Sequence, residues 1–90
     1  MPQTAKRGDK VLVKYKGKLT NGQVFDEGDF DFTIGAGEVI PGFDKAINGM
    51  TVDQTKEVKI PAKEAYGEKP GGHSLAGKDL IFFITLKKIF

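Results

Sequence analysis

The chain has no cysteine, a single histidine at His73, and no apolar run near the ~20 residues of a membrane-spanning helix. Without cysteine, neither a disulfide framework nor a thiolate-held metal can stabilise it, so burial of apolar side chains must. A reducing, cytoplasmic location is the expectation. With one histidine, a nucleophilic triad has one candidate base, and that base lies in a glycine-rich stretch. A metal on His73 would lack a second imidazole or a thiolate, so His73 reads as a solvated loop side chain and neither metal nor cofactor is expected. Excess charge is also scarce: 14 basic and 12 acidic side chains leave a formal +2. The lysines at Lys14, Lys16 and Lys18 alternate as on a solvated strand face, which argues against a nucleic-acid partner. Met1-Pro2-Gln3-Thr4 carries no apolar signal region, and no membrane association is expected. Gly35-x-Gly37 leads into Glu38-Val39-Ile40-Pro41, so it lacks the Gly-Lys-Ser/Thr end of a phosphate loop and the third glycine of a dinucleotide site.

What the chain does have is one short amphipathic helix with clear boundaries. Ninety residues make one domain, residues 1–90, with a single core. Pro41 suits a first helical position, and Gly49 a left-handed C-cap. Ile40, Phe43, Ile47 and Met50 recur at three- and four-residue spacing on one face, with Asp44, Lys45 and Asn48 on the other. Roughly two turns of helix cannot persist alone in water, so that face must lie on a sheet. Val39 and Ile40 then sit at the helix N-terminus, where backbone N–H groups lack partners.

The rest reads as strands. Val11, Val13 and Tyr15 alternate with Leu12, Lys14 and Lys16 over Lys10 to Leu19, a strand with one buried face. Asn21-Gly22 offers the two φ > 0 positions of a tight hairpin, and Gln23-Val24-Phe25 returns. Asp26-Glu27-Gly28-Asp29 reads as a short acidic loop, followed by a strand with Phe30, Phe32 and Ile34. Thr55 to Ile60 forms another strand, closed by Pro61. Ala62 to Leu75, centred on Lys69-Pro70-Gly71-Gly72, reads as a surface loop of about fourteen residues, a length usually reserved for function. Leu80, Phe82, Ile84 and Leu86 alternate in a last strand whose other face, with Ile81 and Phe83, is also apolar, so it is interior to its sheet. The expectation is α+β: an antiparallel sheet of about five strands wrapped around one short helix.

Nine aromatic side chains are many for this length. Core filling accounts for Phe32, but Val39, Ile40 and Phe43 crowd the first helical turn while Ile47 and Met50 already serve the core. A surplus of this kind can line a concave apolar pocket. The succession Val11-x-Val13-x-Tyr15-x-Gly17-x-Leu19-x-x-Gly22-x-x-Phe25-Asp26, then Gly35-x-Gly37-x-Val39-Ile40-x-Gly42-Phe43-x-x-Ala46-Ile47-x-x-Met50, then Ala65-Tyr66-Gly67, resembles the FKBP family of peptidyl-prolyl cis/trans isomerases. The likeness runs in order over roughly residues 8–88. Two details resemble the SlyD-type branch: Phe43 stands where most of the family has tryptophan, and Gly72-His73-Ser74-Leu75-Ala76-Gly77-Lys78-Asp79-Leu80 is similar to that branch's entry into its last strand. The chaperone domain which that branch inserts after the Tyr66 position is replaced by Glu68-Lys69-Pro70-Gly71-Gly72. The loop after Asp26 is shorter than in most relatives, and no histidine-rich tail is present. The chain resembles the isomerase half alone.

The resemblance implies an FKBP-like fold and a proline-binding pocket. Its catalytic group would be Tyr15, Asp26, Ile40 and Tyr66, with Phe25, Phe30, Val39, Phe43, Leu75 and Phe82 binding substrate. The Ile40 N–H and Tyr66 hydroxyl would hold substrate carbonyls. Asp26 would support the pocket, its carboxylate oriented by Tyr15. The implied partners are proline-containing peptides, unfolded chains and macrolides of the rapamycin class, acting on a monomer. A non-catalytic peptide- or macrolide-binding module, or a minimal engineered scaffold, of the same fold is the alternative.

Overall fold

The computed structural model describes residues 3–68 and 75–90. His73 and Lys69-Pro70-Gly71-Gly72 lie outside the described residues. Strand β1 (Lys10–Leu19) pairs antiparallel with β2 (Val24–Thr33) on one side and with β4 (Leu80–Ile89) on the other, and β3 (Thr55–Ile60) pairs with β4. The sheet order is β2-β1-β4-β3. β4 is therefore interior, as its two apolar faces require. Helix α1 (Pro41–Ile47) lies over one face, giving the expected antiparallel α+β architecture.

The described residues hold four strands where about five are expected, because the acidic stretch is not a loop. Asp26-Glu27-Gly28-Asp29 continues through β2, an edge strand, with Glu27 opposite Lys16 and Asp29 opposite Lys14. Opposite charges facing across a strand pair favour pairing by a few tenths of a kcal/mol up to about 1 kcal/mol. Lys16 and Glu27 approach to 3.9 Å, and Lys10 and Asp31 to 3.7 Å. Local composition argues for a turn here; the lysines of β1 make it a strand.

The hairpin differs in detail too. Gly22 takes φ +92°, but Asn21 does not adopt positive φ. Its side-chain oxygen instead accepts the Gln23 N–H at 2.9 Å, while Leu19 and Gln23 close the loop through the Leu19 N–H at 2.8 Å. The Ala62 to Leu75 stretch begins with a 3₁₀ turn, Ala62–Glu64, anchored where the Ala62 N–H donates to Asp79 at 3.0 Å.

The helix has the predicted boundaries. Pro41 opens it, Asn48 is its C-cap, and Gly49 follows with φ +94°. Its end is tied to the N-terminal segment: the Gly49 N–H donates to the Ala5 carbonyl at 2.7 Å, and the Ala5 N–H to that of Met50 at 2.8 Å. Its inward face brings Phe43, Ala46 and Ile47 onto a core that includes Val11, Val13, Phe32, Leu80, Ile84 and Leu86.

Gly42 sets how closely helix and sheet approach. A Cβ at this position would run into Ile60, whose Cγ1 would be 3.0 Å away. Ile60 is fully buried and β-branched, so its χ1 cannot swing aside. Gly42→Ala should therefore destabilise the protein by about 1–3 kcal/mol, although alanine is the better helix former by roughly 1 kcal/mol. Equilibrium urea unfolding checks this: the midpoint should fall with little change in slope.

Candidate functional site

Packing α1 over the sheet leaves an open cleft of about 410 Å³ beside the helix N-terminus. Phe43 from α1 and Phe82 from β4 form its floor, with ring centroids 5.2 Å apart and planes perpendicular. Both are nearly inaccessible, at 5% and 4% exposure, so the floor is the upper surface of the core. Such edge-to-face contacts add about 0.5–1.5 kcal/mol beyond burial. Tyr15 from β1 stands edge-on to Phe43 at 6.0 Å, and Phe25 from β2 stands edge-on to Phe82 at 5.7 Å. Phe30 and Tyr66, both largely exposed, make the outer walls.

Gly17 of β1 makes this arrangement possible. A Cβ there would fall 2.6 Å from Phe25 Cζ and 2.9 Å from Phe82 Cε1. A side chain at residue 17 would push both rings into the cleft.

The rim is polar. Tyr15 donates its hydroxyl hydrogen to Asp26 Oδ2 at 2.9 Å. Burial, the hydrogen bond to Asp26 and the charges of Asp26 and Tyr66 push the Tyr15 phenol above its ordinary value of 10.0. It is therefore a neutral donor throughout the physiological range. On the facing side, Val39 and Ile40 approach the helix. The Ile40 carbonyl accepts the N–H groups of Phe43 at 3.1 Å and Asp44 at 3.2 Å, whereas its own N–H has no acceptor among the described residues. Asp44 holds the loop in place by accepting the Gly35 N–H at 3.0 Å.

Nine of the ten implied site residues line this one cleft: Tyr15, Phe25, Asp26 and Phe30 from β1 and β2, Val39, Ile40 and Phe43 at the helix, and Tyr66 and Phe82 beyond it. Leu75, half-buried in the turn before β4, is not among the described lining residues. The cleft also contains Glu38, which sequence reasoning missed. Its Oε1 accepts the Thr33 N–H at 3.3 Å, bracing the loop against the end of β2. The only sequence signal is an acid shortly before a helix start, where the N-terminal dipole favours negative charge. Among the described residues no three His, Cys, Asp or Glu side chains gather as metal ligands.

The raised Tyr15 value has a consequence for stability. Because the folded protein holds this proton more tightly than the unfolded chain, the contribution is complete below the unfolded value of 10.0 and is lost as pH rises through the higher folded value. A phenolate absorbance titration should show one tyrosine ionising late. Tyr15→Phe should abolish that component; a late component surviving in the variant would overturn the assignment to Tyr15.

Residues 1–87 match the model of the family described as FKBP-type peptidyl-prolyl cis-trans isomerase. Among the curated relatives, the peptidyl-prolyl cis-trans isomerase FKBP15-2 of Arabidopsis thaliana is 42% identical over 86 residues, covering 90% of this chain and 53% of that protein. FK506-binding protein 3 of Debaryomyces hansenii is 44% identical over 91 residues, covering 97% of this chain and 21% of that one. A peptidyl-prolyl cis-trans isomerase of Saccharomyces cerevisiae is 42% identical over 86 residues, covering 91% and 21%. The chain thus spans about half of the plant protein and about a fifth of the two yeast proteins. The match takes in both sides of the aromatic cleft and the helix beneath it, and the chain belongs to the FKBP-type peptidyl-prolyl cis-trans isomerase family.

Proposed function

We propose that this domain accelerates cis/trans isomerisation of prolyl bonds in peptides and unfolded chains. The observation that carries the reading is an aromatic cleft with a backbone donor at its rim, the Ile40 N–H, that has no acceptor among the described residues. An X–Pro bond rotates over a barrier of ~18–20 kcal/mol because twisting breaks amide resonance. The twisted amide is less polar than the planar one, so a pocket floored by Phe43 and Phe82 favours it over the ground state. The Ile40 N–H holds a peptide carbonyl while the pyrrolidine turns against the rings. Removing ~4 kcal/mol from the barrier gives about a thousandfold acceleration, with no covalent bond made to the protein.

Asp26 acts in this scheme through Tyr15: its carboxylate fixes the hydroxyl at the cleft wall and transfers no proton to substrate. A second reading, peptide binding without turnover, draws support from the open walls, since Phe30 and Tyr66 remain 40% and 37% exposed. The likeness to SlyD-type proteins rests on Phe43 and on the segment around His73, much of which lies outside the described residues.

Relaxation of a short Phe-Pro peptide toward its cis/trans equilibrium, followed with and without protein, tests the proposal. Acceleration at micromolar protein is expected; unchanged relaxation with saturable binding would leave the second reading. Asp26→Ala should reduce kcat/KM by about two- to tenfold and leave the shape of the pH profile unaltered, whereas loss of a bell-shaped limb would mean general acid–base catalysis.

The relatives named FK506-binding proteins direct attention to macrolides as ligands of the same cleft. Phe43 offers less stacking area than tryptophan and no indole N–H, so binding of a rapamycin-class macrolide should be weak and should tighten in Phe43→Trp. Amide shifts mapped during a macrolide titration should centre on Val39, Ile40 and Phe43. Shifts confined to remote residues would place the ligand elsewhere.

A further inference from the structure

Four acids outside the cleft have cations beside them: Glu27 lies 3.9 Å from Lys16, Asp31 lies 3.7 Å from Lys10, Glu64 is 2.5 Å from Lys45, and Asp29 stands opposite Lys14 in the strand register; Asp44 and Asp79 instead accept backbone N–H groups. The two acids that line the cleft also have neutral donors. Asp26 accepts from the neutral Tyr15 hydroxyl, and Glu38 from the neutral Thr33 N–H. Among the described residues, neither forms a salt bridge, and no lysine or arginine lines the cleft.

The cleft therefore has apolar aromatic surface at its floor and, among the described residues, negative charge without a cationic partner at its rim, in a chain whose formal charge is +2. A distant positive field does not draw cations toward the protein, so any preference for them must arise locally at the rim. Glu38 lies two residues before Ile40, whose N–H is the donor available to a peptide carbonyl. Asp26 stands on the opposite strand wall, with one carboxylate oxygen already engaged by Tyr15.

We propose that the cleft selects proline segments carrying lysine or arginine within two residues of the proline, and that Glu38 is the residue that determines this preference. The inference rests on the proline-segment reading of the cleft and adds the electrostatic class of substrate to it. Glu38 reads charge and takes no part in turning the prolyl bond. Because both carboxylates are exposed, each contributes at the level of a surface ion pair, roughly 1.5- to fivefold in affinity.

Three peptides identical except for lysine, glutamine or glutamate directly after the proline, and three with that change two positions before it, test the proposal. For each, kcat/KM is measured by relaxation and Kd by chemical-shift titration. In at least one series lysine should exceed glutamine and glutamine should exceed glutamate, with a lysine-to-glutamate ratio of about five to tenfold at low salt that shrinks as salt is added. The ratio should fall in Glu38→Gln and approach or pass unity in Glu38→Lys, with the folded state of each variant checked by its amide spectrum. Glutamine peptides turned over as fast as lysine and glutamate peptides in both series would overturn the charge preference while leaving isomerase activity standing. A preserved order of Kd without turnover would support the preference and remove the isomerase reading. Neither turnover nor binding of any peptide would remove both. An unchanged ratio in Glu38→Lys would overturn the role of Glu38.

Discussion

The ring of Phe43 belongs to the core and to the cleft at once, and most of the structure depends on that. It stands in edge contact with Phe32 at 5.8 Å on the core side, and with Tyr15 and Phe82 at 6.0 and 5.2 Å on the cleft side. A seven-residue helix has no stability of its own in water. Three things hold it: the close approach of Gly42 to Ile60, the tie between Gly49, Met50 and Ala5, and the burial of Phe43 and Ile47. The cleft floor is thus rigid for the same reasons that the fold is stable. Substitutions at the floor disturb the core, whereas the exposed walls and rim can vary without doing so.

Much of this was legible along the chain where local chemistry and tertiary context agree. Pro41, Gly49 and the spacing of Ile40, Phe43, Ile47 and Met50 mark the helix because its end signals and its apolar spacing fall on the same short stretch. Strands β1 and β4 read correctly from alternation, because each has at least one face against the core. Strand β2 did not read as one element. Asp26, Glu27, Gly28 and Asp29 carry loop chemistry, and what makes them a strand is their register against Lys14 and Lys16, ten or more residues away in sequence. Asn21 misleads for a related reason: its side chain closes an Asx-type turn, so its backbone need not adopt the left-handed conformation.

The candidate site was legible in the same uneven way. Surplus aromatics indicate a pocket, but only the ordered match to a family says which of them face it; periodicity alone gives Phe43 to the core as readily as to the cleft. Glu38 carries no periodic signal at all. It reaches the cleft because the Gly35–Ile40 loop folds back on β2, with Thr33 donating to Glu38 and Gly35 donating to Asp44. Such a position depends on two loop-closing hydrogen bonds, one to the end of β2 and one to α1, and their geometry leaves no periodic trace in residues 33–44.

A buried aromatic floor and a hydrated acidic rim place opposite demands on the environment, and the cleft satisfies both by keeping them apart. Moving a carboxylate onto the floor would cost several kcal/mol of desolvation, and it would polarise the surroundings in favour of the planar amide that catalysis must disfavour. At the rim, Asp26 and Glu38 stay in contact with water, so their interaction with a substrate charge is small and screened by salt. Under the proposed isomerase reading, floor contacts act on the bond that rotates and so bear on the height of the barrier. Rim contacts act on side chains that do not change between ground and transition states, so they bear on binding and leave the barrier as it was. On that reading the division lets the rim vary without altering what happens to the proline, and the proposed charge selection is limited to a bias among proline segments.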